Sequence, residues 1–342
     1  MPVALLATYD EAILSPAYPV FEVIDTTVLL PEYLMMWMTR SEFDREACFY
    51  AVGGVRGSLE WDDFMDMKLP IPSIDKQREI VKEYHVLVDR INLNNGLIQK
   101  LEETAQAIYK QWFVEFEFPV PLTPKGEKHI GYKSSGGEME FNEELGKEIP
   151  KGWAMISIKD FCSEMKSGGT PSRGTPEYWN SKDIPWLKTG ELNNEIIIES
   201  EEYISNNGCI NSSAKRLPIN SVLIAMYGEG KTKGQVGFLK IEATTNQACC
   251  AMICENIGMA TYLYYFLQIN RDRIANMANG GAQPNLSKAL IEGLRIVKPN
   301  DDLFTKHPFE EIINSRESLT RESLALVKIK ELLLSKLATM EN

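Results

Sequence analysis

The chain has 342 residues, 44% hydrophobic and 25% charged, with a formal net charge of −12. This length predicts about two domains, and the apolar share suffices for more than one core, which excludes a disordered chain. The acidity leaves no overall basic footprint for a polyanion, and no apolar stretch, Tyr33–Met38 included, is long enough to span a bilayer.

Residues 1–73 open with strand-like material at Val3–Leu6, Ala12–Leu14 and Val20–Val23. The opening MPVALLATYDEAILS lacks the basic start and long apolar run of a signal peptide. A helix is predicted over Pro31–Arg40, with proline in its first turn. Gly53, Gly54 and a run into Leu69-Pro70-Ile71-Pro72 follow.

The stretch Ile74–Phe118 reads as one long helix. Ile80, Tyr84, Leu87, Ile91, Asn94, Ile98, Leu101, Ala105, Ile108 and Trp112 recur in alternating steps of four and three. That is the seam of a coiled coil, narrower than the stripe of an ordinary surface helix. Asp75 is the expected N-cap, and Pro119 and Pro121 end the helix. At about 1.5 Å per residue it is roughly 60 Å long and calls for a partner helix. Asn94, polar within the seam, is the type of residue that sets register.

Residues 119–151 read as a linker rich in Pro, Gly, Ser and charge. A second globular segment covers 152–300, and a second helix covers 305–340. Leu319, Leu326 and Leu333 continue a seven-residue repeat from Ile312, while Arg316, Ser323 and Lys330 fall where a strict seam wants apolar residues.

The two halves repeat each other. Residues 53–72 align with 280–299 without a gap, pairing Leu59 with Leu286, Phe64 with Ile291, Met67 with Leu294 and Leu69 with Ile296. Residues 31–37 match 260–266 with a small shift, and 15–21 match 246–252. The first copy has no counterpart of about 152–230, so exposed strand edges and core side chains are expected there.

Residues 225–234, AMYGEGKTKG, nearly spell a phosphate-binding loop, but Ala225 replaces its first glycine and a strand at Gln235–Leu239 follows instead of a helix. A hairpin with Tyr227, Lys231, Thr232 and Lys233 near its tip suits a nucleic-acid backbone; a solvated turn is the plainer alternative. Lys188-Thr189-Gly190-Glu191 follows a strand at Ile184–Leu187, and Asn246-Gln247 and Gln283 lie in amide-rich loops. Asn and Gln can read adenine and Lys can read guanine, although such loops often satisfy only their own backbone. Between Cys162 and Pro299 there are fourteen Lys and Arg against thirteen Asp and Glu, so this segment can present a basic face. The six cysteines form no CxxC pair, which argues for reduced thiols and against zinc. No methyltransferase, nuclease or Ser/His/Asp pattern is present, and His85, His129 and His307 lie away from the loops.

These residues together carry a resemblance. Gly152-Trp153, Gly168-Gly169-Thr170-Pro171, Ile184-Pro185-Trp186-Leu187, Val222–Gly228, Ala243–Ala248, Gly280–Ser287 and the helix entry Leu69–Pro72 with Lys76–Val81 are similar to the specificity subunits of type I restriction–modification systems. The resemblance implies an α+β fold: α/β target recognition domains joined by two long antiparallel coiled-coil helices. It implies that the chain is non-catalytic and cytoplasmic and binds double-stranded DNA at a split site, the helices acting as a ruler. Lys188, Thr189, Tyr227, Lys231, Thr232, Lys233, Asn246, Gln247 and Gln283 become the DNA-binding candidates. Methyltransferase subunits would dock on the helices and a motor-nuclease subunit would join. S-adenosylmethionine, ATP and Mg would belong to those partners, with no cofactor in this chain. The short first domain departs from the family pattern and adds a second copy, or a separate N-terminal fragment, to the expected partners. The alternative is a truncated scaffold or regulator that binds methyltransferase subunits without full DNA specificity.

Overall fold

The computed structural model describes residues 3–7, 9–16, 18–51, 59–120, 131–228, 232–277 and 285–337. The chain forms two compact units, one from residues 1–96 and 321–342, the other from 97–320, so the division falls inside both long helices. Elements are numbered in chain order.

The first unit contains α1 (Pro31–Met38), α2 (Ser41–Tyr50), α3 (Trp61–Asp66), the start of α4 (Ile74–Tyr109) and the end of α10 (Phe309–Leu337). Pro31 opens α1 because a first-turn residue needs no N–H. Tyr33, Met36, Trp37, Phe43, Ile80, Leu334 and Leu337 form the core. Gln77, fully buried, accepts from the Leu30 N–H at 2.9 Å and donates to the carbonyls of Val28 and Pro72, both at 2.8 Å. It thus ties the start of α4 to the start of α1. The helix is capped from Ser73, whose Oγ lies 3.4 Å from the Lys76 N–H; Asp75, expected as the cap, sits in the first turn and pairs with Arg78.

The predicted seam faces inward. In this unit Ile80 and Asn94 are buried and Tyr84, Leu87 and Ile91 are half-buried, with exposed residues between them. On α10, Ser323, Leu326, Lys330 and Leu333 are half-buried. The helices run antiparallel here, since Ile80 shares its core with Leu334 and Leu337 while Asn94 Nδ2 donates to Glu322 at 3.0 Å. Arg90 grips the same carboxylate through two hydrogen bonds of 2.9 and 3.0 Å. The register-setting residue is therefore matched by a charged partner.

No strand forms in this unit among the described residues. The expected strands at Val3–Leu6, Ala12–Leu14 and Val20–Val23 are extended or irregular, because a strand needs a neighbour's N–H and C=O groups and none is offered here. The repeat nevertheless holds in the helices. α1, α2 and α3 precede α4 as α7 (Ile257–Ile269), α8 (Arg271–Met277) and α9 (Lys288–Glu292) precede α10. Under the gapless pairing, Trp61–Met65 in α3 corresponds to α9.

The second unit is built on sheets. Its strands are β1 (Met139–Asn142), β2 (Lys147–Pro150), β3 (Ala154–Ser157), β4 (Glu164–Ser167), β5 (Ile184–Leu187), β6 (Glu195–Ile197), β7 (Glu202–Ile204), β8 (Val222–Ala225), β9 (Val236–Leu239), β10 (Thr244–Thr245), β11 (Cys249–Ile253) and β12 (Arg295–Lys298), with short helices α5 (Ile158–Phe161) and α6 (Asn206–Ile210) between them. The larger sheet has the order β4-β11-β8-β9-β6 and a smaller one the order β10-β5-β7; β12 pairs with β3. The stretch read as linker is partly ordered: β1 and β2 form a hairpin, and Arg295 clamps Glu144 in its turn at 2.6 and 2.7 Å.

α7 is apolar on every side because it is covered on every side, with Gly258 to Leu267 all buried. Tyr264 meets Phe238 of β9 edge-on, and Tyr262 stacks on Tyr109 of α4. The helix predicted to reach Phe118 ends sooner: α4 gives way to a π-turn at Lys110–Val114, and Phe116 takes a positive φ of 63°. Burial of Phe113, Phe116 and Phe118 around Trp153 pulls the chain off the helical path.

In this unit Ala105 is buried and Ile98, Leu101 and Ile108 are half-buried on α4, as is Trp112 in the π-turn, while Ile312 is buried and Leu319 half-buried on α10. Arg316 is buried at the expected seam position because it pairs with Glu102 of α4. Burial raises the pKa of the Glu102 carboxyl, against the pull of Arg316. Removing one charge strands the other in a poorly solvated site, so Arg316→Met should cost about 3 kcal/mol, and adding Glu102→Leu should restore most of it. Denaturant unfolding of both variants measures this.

His307 is buried against Phe113, Phe304 and Phe309, with Nε2 3.2 Å from the Gly258 carbonyl oxygen. Burial lowers its pKa to about 4. Between that value and the unfolded value of about 6.5, the unfolded chain binds more protons, so stability falls as pH drops through this window, by up to about 3 kcal/mol. Unfolding curves at pH 7 and pH 4.5 should differ accordingly, and His307→Phe should flatten the difference.

Candidate nucleic-acid interface

The predicted loops meet at one end of the sheets. β5 and β10 run parallel, pairing Trp186 with Thr244 and Leu187 with Thr245, so Lys188 and Asn246 leave side by side. β4 and β8 flank β11 on its two sides, both antiparallel to it. The turns after Ser167 and Ala225 therefore sit beside Gln247 and Ala248. Backbone hydrogen bonds join the loops: Gly169 N–H to Thr245 O at 2.8 Å, Asn246 N–H to Leu187 O at 3.0 Å, and Met226 N–H to Ala248 O at 2.8 Å. Leu286 N–H donates to Met226 O at 3.0 Å, which brings Leu286 to the same rim.

Two glycines make this convergence possible. A Cβ on Gly168 would lie 2.1 Å from the Asn246 carbonyl oxygen, and one on Gly169 would lie 2.2 Å from Ser213 Oγ. Only a bare backbone lets the 168–171 turn approach two other loops this closely.

Along the rim, Thr170 Oγ1 donates to Gln247 Oε1 at 2.6 Å and orients that exposed amide. Asn246 Oδ1 accepts from the Ala248 N–H at 3.1 Å, leaving its amide N–H groups available to a ligand. Tyr227 is exposed beside Gly228, and Thr232 and Lys233 are half-buried at the start of the return to β9. Thr189 is half-buried in a short 3₁₀ turn. Lys188 is held by Glu201 at 2.9 Å and Glu202 at 3.2 Å, which raise its pKa. Its charge is already matched, so a base contact would require it to leave both carboxylates. Lys231 and Gln283 lie outside the described residues.

Sequence reasoning missed Arg173. Its guanidinium lies 3.5 Å from the centre of the Trp179 ring and 5.0 Å from that of Trp186, and it pairs with Glu202 at 2.6 Å. Arg173 lowers the pKa of the Glu202 carboxyl. Its place two residues after the Gly-Gly-Thr-Pro turn was the available signal. Ser213 and Ala214, which wall the Gly169 turn, also bring Lys215 and Arg216 near it. The described residues contain no cluster suited to a metal ion.

A rim of amides, hydroxyls and partly paired cations on a rigid sheet end has the features of a surface that reads a polar, charged partner by hydrogen bonds. Comparisons with known proteins identify the class. Residues 6–103 and 150–302 match the family described as the type I restriction modification DNA specificity domain. The HindI specificity subunit of Haemophilus influenzae is 24% identical over 97% of this chain and 82% of its own length. The MjaIX specificity subunit of Methanocaldococcus jannaschii is 24% identical over 89% and 67%. A crystal structure of the S subunit of a type I restriction–modification system from M. genitalium superposes with a TM-score of 0.55, covering 92% of this chain and 74% of that one at 14% identity. The chain belongs to the type I restriction–modification specificity family, and its work is the recognition of DNA sequence.

Gly169→Ala forces Ser213 and the 168–171 turn apart. It should destabilise the domain by about 2 kcal/mol, and DNA affinity should drop with it; thermal unfolding and a filter-binding titration check the two effects.

Proposed function

We propose that the rim of the second unit reads one part of a split DNA site, with Asn246, Gln247 and Gln283 on base edges and Lys231 and Lys233 on phosphates. The observation that carries this is the meeting of five separate chain segments at one sheet end, with Gln247 oriented by Thr170. Amides placed on a rigid support suit bidentate reading of adenine, and lysines on a hairpin suit backbone contact. The α4 and α10 helices serve as the spacer and as the docking surface for methyltransferase subunits, with a motor-nuclease subunit joining the complex. The chain is non-catalytic and cytoplasmic in this reading. Its partners hold S-adenosylmethionine, ATP and Mg.

Methylome sequencing of cells expressing the chain with its methyltransferase tests the proposal. A defined methylated motif is expected, and Gln247→Ala should relax it at one position. Lys233→Ala should instead weaken binding to all sequences alike and reduce the salt slope by about one. A motif unaltered by every rim substitution would place base reading elsewhere.

A further inference from the structure

The internal repeat sets two faces of this chain side by side. In the pairing of 15–21 with 246–252, Tyr18, Val20 and Phe21 correspond to Cys249, Ala251 and Met252. The latter three lie in β11 and are at most 1% exposed, and β11 has β4 on one side and β8 on the other. Tyr18, Val20 and Phe21 are 53%, 81% and 43% exposed and belong to no ladder. The short helix nearby and the residues just after it repeat the contrast. Ile291, Leu294 and Ile296 are buried, whereas the matching Phe64, Met67 and Leu69 are half-buried. Phe21, Trp61 and Phe64 gather on this surface with ring centres 5.3 to 5.9 Å apart.

We propose that the face made by Val20–Val23 and α3 accepts a β-sheet of the kind that residues 164–225 lay against β11, brought by a strand-bearing segment other than a copy of this chain. The buried counterpart in the second unit names the occupant: two flanking strands, with apolar side chains over the helix. Strand addition also suits the backbone, because Val20–Val23 pairs with no strand among the described residues and another main chain can pair with it on either side. A second copy cannot be the donor, since its β4 and β8 are already committed to its own β11. This inference rests on the repeat and not on the assignment of the DNA-reading rim, so each can fail alone.

The test uses the full chain in its producing cells, with a benzophenone amino acid in place of Val20. After illumination, the cross-linked peptides should come from a segment outside this sequence that carries the Gly-Gly-Thr-Pro turn or Ile-Pro-Trp-Leu strand pattern of residues 168–171 and 184–187. Amides 20–23 should exchange at least about 100-fold more slowly in that complex than in the purified chain. Phe21→Glu should abolish the capture. Cross-links to this chain itself, no cross-link, or unchanged amide exchange would each overturn the proposal.

Discussion

The second unit depends on a set of stacked rings where three helices meet. Tyr109 at the end of α4, Tyr262 on α7 and Phe309 at the start of α10 pack around Phe113, with Phe113 and Tyr262 edge-on at 4.7 Å. Large rings bury much apolar area and prefer offset or edge contacts, so a few of them can fix the angle at which helices leave a domain. The π-turn after Tyr109 and the positive φ of Phe116 are local costs accepted to bring Phe113 and Phe118 into this set. From there α7 passes the constraint to the sheet: the Tyr264 hydroxyl donates to Asn194 O at 2.7 Å, and Asn194 Oδ1 accepts from the first residue of β9. The rim hairpin, which leaves β8 after Ala225 and returns to β9 at Val236, hangs from this same end of the sheet.

The long helices were the most legible part of the chain, because a seam is a repeated pattern and repetition survives individual exceptions. Arg316, Ser323 and Lys330 break the apolar rule yet keep their inward place, and Arg316 does so because Glu102 waits across the seam. The repeat was legible for the same reason. The strands of residues 3–23 were misread because apolar alternation reports a willingness to pair, whereas pairing needs a second strand. The hairpin of β1 and β2 was hidden by its composition: Gly, Ser and charge suggested a linker, and the stabilising contact of Glu144 with Arg295 spans 151 residues.

At the rim, the loops were identified one by one as weak polar signals. Their convergence was not readable, because it follows from the parallel pairing of β5 with β10 and from the space left by Gly168 and Gly169. The carboxylates Glu201 and Glu202 explain how an acidic chain can still carry cations here: Lys188 and Arg173 each sit beside an acid that holds their geometry and can yield them to a stronger anion.

The hydrogen bonds that join the rim run among its own loops, between Gly169 and Thr245, Thr170 and Gln247, and Met226 and Leu286. The helix seam is held by a different vocabulary of side chains. Mutation can therefore rework the loops of the rim while leaving the packing of the helices untouched, and the two surfaces of this plan can diverge at separate rates.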